Sequence, residues 1–238
     1  MTRELVYGRN AVREALLGPR AVLEVWATER AAAQSLWLEE GPRAQVKPER
    51  LLSEAAGTRE HQGLVAWCEP FRYADAWELA AQERPLLVCL DQVTDPHNLG
   101  AVARSAEGAG ATGVVLPGHG SVRVTAAVCK ASAGAVEHLP IAVVPNLARY
   151  LAEIKGPELW AYAADAEGEE SLWEADLSGG VALVLGAEGR GVRPLVRRTC
   201  DASISIPLAG RVGSLNASVA AALLLYEARR QRASVGAT

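Results

Sequence analysis

No apolar run among these 238 residues approaches the ~18 that a membrane span needs. The opening residues, Met1-Thr2-Arg3-Glu4-Leu5, hold no apolar core of a secretory signal. Neither a membrane protein nor an exported one is expected, and a cytoplasmic protein is the simplest reading. The four cysteines, Cys68, Cys89, Cys129 and Cys200, lie far apart without a C-x-x-C pair, which speaks against a thiolate metal site or a redox motif. Cys89 and Cys129 stand among apolar neighbours and read as small buried hydrophobes. His61, His97, His119 and His138 show no ligand spacing, so no metal is expected. Lysine is scarce too, with only Lys47, Lys130 and Lys155 among 24 basic residues. That bias matches an Ala- and Arg-rich chain as a whole better than it marks phosphate recognition. No internal repeat and no low-complexity tail is present.

What remains is the composition of a globular protein, 50% hydrophobic and 22% charged. The length suits one large domain, or a small one joined to a medium one, with a sizeable core. A net charge of −4 argues weakly against a nucleic-acid partner. The charge is unevenly spread, however. Residues 153–176 hold eight acidic residues against one lysine, whereas residues 184–232 hold eight arginines against Glu188, Asp201 and Glu227. An anion-facing surface is compatible with that asymmetry.

Residues 1–72 read as a small α/β unit, with helices at 8–17 and 31–39 and strands at 22–27 and 63–67. A linker follows at 73–84, closed by Pro85. From 85 to 233 strands and helices alternate: strands at 86–90, 113–116, 141–144, 159–163, 181–185 and 202–206, helices at 96–108, 125–134, 147–154, 192–199 and 215–231. Residues 234–238 read as a tail. Strands of continuous Val/Leu/Ile character alternating with helices imply a parallel sheet covered on both faces, with ligands at the carboxyl ends of its strands.

Three segments after such strands carry polar groups. In the first, Asp95 with Pro96 forms a strong helix start. Asn98 and Arg104 are not explained by that start, and Gly100 shares a helix face with Arg104, leaving room beside the guanidinium. The second, Leu185-Gly186-Ala187-Glu188-Gly189-Arg190-Gly191, is a Gly-rich turn around an acid. It lacks the lysine and hydroxyl of a P-loop and fails as G-x-G-x-x-G, which speaks against a dinucleotide dehydrogenase. The third runs from Ile206-Pro207-Leu208 through Gly213-Ser214-Leu215-Asn216-Ala217-Ser218 into an apolar helix. By itself it is either a helix cap or one wall of a ligand site. A common sheet edge would gather Asn98, Arg104, Glu188, Ser214 and Asn216.

Together the patterns N-x-G-x-x-x-R (98–104), L-G-x-E-G-x-G (185–191) and I-P-x-x-G-x-x-x-S-L-N-x-S (206–218) resemble the three motifs of the SpoU/TrmH group of RNA ribose 2′-O-methyltransferases, in order and in spacing. Tyr7-Gly8-Arg9-Asn10-Ala11-Val12 and His61-Gln62-Gly63-Leu64-Val65-Ala66 resemble the small L30e-like RNA-recognition domain of the ribosomal-RNA members.

The resemblance implies a C-terminal SPOUT fold, an α/β sheet threaded into a trefoil knot, which base rates alone would argue against. It implies S-adenosylmethionine as cofactor, held at Gly186, Ile206 and Leu215 with Ala187 and Leu208, and at Leu116 and Pro117. It implies methyl transfer to a ribose hydroxyl, with Asn98, Arg104, Glu188, Ser214 and Asn216 as the catalytic set. Arg104 is described in the family as the base, but a guanidinium stays protonated and stabilises anionic oxygen at least as readily. It further implies a homodimer in which the last helix joins the interface, although packing of that helix on its own sheet satisfies the sequence equally well. RNA, and 23S ribosomal RNA first, is the implied partner. A transfer-RNA methyltransferase and a catalytically silent RNA-binding protein of the same fold are the alternatives.

Overall fold

The computed structural model describes residues 2–235. The N-terminal unit contains β1 (Glu4–Tyr7), α1 (Arg9–Leu17), β2 (Val22–Ala27), α2 (Glu29–Ala33), a 3-10 turn at Leu36–Glu40, β3 (Gln45–Val46), α3 (Glu49–Ala56) and β4 (Leu64–Cys68). Its sheet has the order β1-β4-β2-β3, antiparallel except for β2 against β3. All five residues of β4 are buried because both its faces are covered. Leu64, Ala66 and Cys68 join the core under α1, while Val65 and Trp67 pack with Leu52 of α3, as the period of two requires.

One expectation fails in this unit. The helix read at 31–39 starts earlier, because Thr28 caps α2 by accepting from the Ala31 amide, and it ends at Ala33. The consecutive apolar residues Leu36, Trp37 and Leu38 then turn tightly, Leu36 outward and Leu38 inward, a pattern no amphipathic helix face accommodates. Helix α3 and strand β1 escaped the reading. The first buries only Leu52 and the second is four residues long, so neither offers a periodic run.

A connector carrying α4 (Ala76–Ala80) leads to β5 (Leu86–Asp91), α5 (Pro96–Ala109), β6 (Gly113–Pro117), α6 (Ala126–Ala131), a 3-10 turn at Ala135–Glu137, β7 (Ile141–Val144), α7 (Leu147–Ile154), β8 (Leu159–Ala164), β9 (Glu170–Ser171), β10 (Gly180–Gly186), α8 (Pro194–Thr199), β11 (Ala202–Ser205) and α9 (Ala217–Val235). The seven strands pair in parallel in the order β7-β6-β5-β10-β8-β11-β9. Alternate residues divide between two cores. Leu86, Val88, Leu90, Leu183 and Leu185 pack with α5 and α9, whereas Leu87, Cys89, Ala182 and Val184 pack with α4, α7 and α8. Helices on both faces bury β5 and β10 completely, which is why these strands read as unbroken apolar runs.

Helix α9 begins at Ala217 rather than 215, since Asn216 serves as its cap, accepting from the Ser218 amide at 2.8 Å. It continues to Val235, so Ser234 and Val235 of the expected tail are helical, and residues 236–238 lie outside the described residues. Gly100 also has a different reason from the one expected. A Cβ there would lie 2.5 Å from Ala131 Cβ and 2.8 Å from the Ser132 amide nitrogen, so its missing side chain admits α6, not the Arg104 guanidinium.

Candidate functional site

The strand order explains why distant segments converge. From β5 the chain proceeds to β6 on one side, whereas from β10 it proceeds to β11 on the other, so the crevice between β5 and β10 is a topological switch point. Asn98 lies in the first turn of α5, just beyond β5, and Glu188 lies just beyond β10. The segment after β11 crosses to meet them at the start of α9.

Asn216 holds the three together. Its Nδ2 donates to Asn98 Oδ1 at 3.1 Å and to Glu188 Oε2 at 3.4 Å. Its Oδ1 accepts from the Ser218 amide at 2.8 Å and from Ser218 Oγ at 2.6 Å. Both amide protons and the carbonyl of one side chain are thereby used, and the backbone donor at Ser218 fixes which end of the amide faces Asn98. Cap and cross-link are the same residue. The loop carrying Glu188 is a closed turn: Gly191 N donates to the Ala187 carbonyl at 2.9 Å, and Gly189 and Gly191 take φ of 75° and 65°. A Cβ on Gly186 would lie 1.9 Å from the Gly191 carbonyl carbon, so the turn closes only on glycine.

Ser214 is exposed and shares no hydrogen bond with this group among the described residues. Arg104 is also exposed, two turns along α5 from Asn98, and no salt bridge holds its guanidinium among the described residues. Ile206 and Leu215 are half-buried and Leu208 is exposed beside them. Leu116 and Pro117 end β6, buried, on the opposite side of β5 from β10.

Two functional candidates went unread in the sequence, Asp91 and Arg193. Asp91 ends β5 with its side chain fully buried, and its carboxylate takes the Arg193 backbone N at 2.9 Å, Nε at 2.9 Å and Nη2 at 2.7 Å. This clamp ties the far end of the 187–191 turn to β5, the neighbour of the strand β10 that the turn leaves. The available signal was an acid at the end of an all-apolar strand, which demands a partner. Gln92 follows with φ of 60°, a conformation unfavourable for a side-chain-bearing residue and placed at the crevice mouth.

The cysteines offer no nucleophile. Burial pushes the Cys68 thiol up to about 11 and the Cys129 and Cys200 thiols up to about 12, and Cys89 moves in the same direction. No group of three or more His, Cys, Asp or Glu side chains among the described residues is arranged to hold a metal, and none of the described helices is long and apolar enough to cross a membrane.

Two concavities are present among the described residues. A cavity of about 780 Å³ in the N-terminal unit is lined by the cations Arg9, Arg30, Lys47 and Arg59, which outnumber its acids Glu29 and Glu49. A groove of about 590 Å³ runs between Ala101 and Ser105 of α5, Trp173, and Val219, Leu223 and Tyr226 of α9.

A small sheet unit with a basic cavity, ahead of a parallel sheet whose switch point gathers amide and carboxylate groups, defines a two-part α/β protein with its ligand edge in the second part. The chain belongs to the SpoU rRNA methylase family, whose model matches residues 85–226, and a second family model, described as RNA 2′-O ribose methyltransferase substrate binding, matches residues 5–74. It is 39% identical over 244 aligned positions to the 23S rRNA (guanosine-2′-O-)-methyltransferase RlmB of Shewanella oneidensis, covering 98% of this chain and 99% of that one. To the protein of the same name from Ralstonia nicotianae it is 48% identical over 185 positions, 76% of this chain and 74% of that one. The structure resembles the crystal structure of the SpoU methyltransferase AviRb from Streptomyces viridochromogenes in complex with AdoMet, with a TM-score of 0.83 at 28% identity, covering 98% of this chain and 91% of that one.

Proposed function

We propose that the protein transfers a methyl group from S-adenosylmethionine to a ribose 2′-hydroxyl of RNA, its substrate a guanosine of 23S ribosomal RNA. The observation that carries this reading is the hydrogen-bonded group Asn98, Asn216 and Glu188, three motif residues joined at the switch point of a chain of this family. The relatives named for 23S guanosine methylation match the N-terminal unit as well as the sheet, which favours ribosomal over transfer RNA. Such a substrate assigns the protein to the cytoplasm.

The residues fit the cofactor. Between Ile206 and Leu215 no backbone–backbone hydrogen bond forms among the described residues, and Ile206, Leu208 and Leu215 keep apolar surface uncovered. Free amides beside bare apolar side chains are what an adenosine takes up. Gly186 and Ala187 form the facing wall, with Leu116 and Pro117 across β5. When bound, S-adenosylmethionine supplies a methyl carbon already activated by its positive sulfur. The chain therefore has to align the hydroxyl and accommodate its departing proton. A guanidinium is a standing cation with no proton to accept, so Arg104 holds the adjacent phosphate and stabilises the developing oxyanion while the hydroxyl proton leaves to solvent. Asn98, Asn216 and Glu188 fix the walls around it, and Ser214 closes the loop over the cofactor.

The sheet domain is read as a trefoil-knotted SPOUT domain on its family match over residues 85–226. The unit at 1–72 is the RNA-recognition part, joined through 73–84. The working form is a homodimer across the α5/α9 groove, where Trp173 and Tyr226 are 61% and 53% exposed. That groove borders Arg104 through Ala101 and Ser105, so each active edge adjoins the second copy.

Incubation with 23S rRNA and labelled S-adenosylmethionine, followed by mapping of 2′-O-methyl groups, tests the reading. Transfer to one guanosine by the wild type, lost in Arg104→Ala with cofactor binding retained, is the expected result. Transfer retained by Arg104→Ala removes that residue from the mechanism, and no transfer to any RNA overturns the function.

A further inference from the structure

The N-terminal unit and the sheet domain meet on a buried ion pair. Arg20, in the turn after α1, directs its guanidinium to Glu137, in the 3-10 turn before β7. Nε donates to Oε2 at 3.1 Å and Nη2 donates to Oε1, and the two side chains are only 7% and 1% exposed. The remaining nitrogen, Nη1, donates to Glu4 Oε2 of β1 at 3.3 Å. That same oxygen accepts from the Phe71 backbone amide at 2.9 Å, and the Phe71 ring lies 5.6 Å from the guanidinium carbon. One side chain thus fastens the first strand, the connector and the sheet domain.

The surrounding joint has no slack. His138 Nε2 is 2.9 Å from Glu14 Oε2, and Lys130 Nζ donates to the Glu60 carbonyl at 2.7 Å. A Cβ on Gly134 would lie 2.5 Å from Glu14 Cβ. A continuous path of contact also runs across the joint. Gly8, the chain neighbour of Arg9 in the cavity lining, packs on Lys130 of α6, the next residue of α6, Ala131, packs on Gly100, and Gly100 lies one turn before Arg104.

Stability alone does not call for charges here, because a buried ion pair is commonly matched by apolar residues of similar volume. What a two-pronged guanidinium–carboxylate contact adds is direction, since it holds only one relative orientation of its two partners. The cations that face RNA in the N-terminal unit and the arginine at the reacting edge belong to different domains, and one RNA must reach both. We propose that the Arg20–Glu137 pair is a positioning device that fixes the offset between the cation-lined cavity and Arg104, and so selects which nucleotide presents its 2′-hydroxyl. The inference rests on the RNA-methylation reading above.

The test is the double variant Arg20→Met, Glu137→Leu, which removes both charges and keeps the joint filled. Cofactor binding and total methyl incorporation into RNA at saturation persist. KM for RNA rises about tenfold, and methylation spreads to neighbouring nucleotides while the native position loses on the order of a hundredfold, as expected when a reacting group is displaced by about an ångström. Arg20→Lys keeps the charge without the fork and gives the same spread to a smaller degree. Methylation confined to the native nucleotide at wild-type KM in the double variant overturns the inference and leaves the methyltransferase reading intact. No transfer by the wild type overturns that reading instead. Should neither variant fold, X-ray scattering of the wild type with and without RNA decides: a single arrangement of the two units supports the inference, and a spread of separations overturns it.

Discussion

Asn216 donates its side-chain amide to Asn98 at 3.1 Å across 118 positions of sequence, while its carbonyl oxygen caps the helix that follows. The two roles are separable by substitution. Asn216→Asp keeps the capping oxygen, loses the donors and sets a second carboxylate against Glu188. Its thermal stability is expected to stay near wild type, whereas Asn216→Ala loses about 1 kcal/mol of cap. Both variants are expected to lose methyl transfer, and wild-type activity in Asn216→Asp would reduce the cross-link to a structural accident.

Asp91 and Arg193 form an asymmetric pair, the carboxylate 0% exposed and the guanidinium 44%. Removing the exposed partner is therefore the more damaging change. Arg193→Ala strands a buried carboxylate and is expected to cost about 3 kcal/mol, whereas Asp91→Asn leaves a guanidinium that rehydrates, at about 1 kcal/mol. Denaturant unfolding measures both. Both variants weaken cofactor binding in calorimetry, because the 187–191 turn loses its anchor, and an unchanged affinity would detach the clamp from the site.

The apolar stripe Val219, Leu223 and Tyr226 lies on the face of α9 opposite Ala221, Leu224, Leu225 and Ala228, which are buried in the chain's own core. Leu223→Asp with Tyr226→Asp is expected to leave a folded monomer in sedimentation with methyl transfer lost. A dimer that survives this double change would place the interface elsewhere.

His61 is buried in the N-terminal unit, where Nδ1 accepts from the Gly63 amide at 3.0 Å and Nε2 lies 3.0 Å from Ser53 Oγ. The backbone donor requires an unprotonated Nδ1, and burial holds this imidazole below its ordinary pKa. In the unfolded chain it binds protons more readily, so its contribution is present at neutral pH and is lost as pH falls through the ordinary value of about 6.5. Unfolding midpoints followed between neutral pH and mildly acid pH are expected to fall more steeply in the wild type than in His61→Gln. Parallel curves would remove His61 as the cause.

The sheet domain was legible because its strands are apolar on both faces and its helices carry strong caps: strand 141–144 and helix 147–154 agree with β7 and α7 to the residue. The N-terminal unit was less so, since α3 buries a single residue and β1 spans four. At the site, the three motifs marked Asn98, Glu188 and Asn216, but the Asp91–Arg193 clamp stayed hidden. A lone acid at a strand end does not announce a partner 102 positions away.

The sequence by itself determined the alternation of strands and helices, the cap at Asp95, and the family through its three motifs. These are local properties, written in periodicity, hydrogen-bonding side chains and glycine spacing. Only the tertiary structure decided that Gly100 makes room for α6, that Asn216 cross-links two other segments, and that Arg20 fastens the N-terminal unit to Glu137. Each of these depends on the strand order and on the packing of the two units. No local pattern encodes it, because the partners are brought within a few ångströms only by the folding of the whole chain.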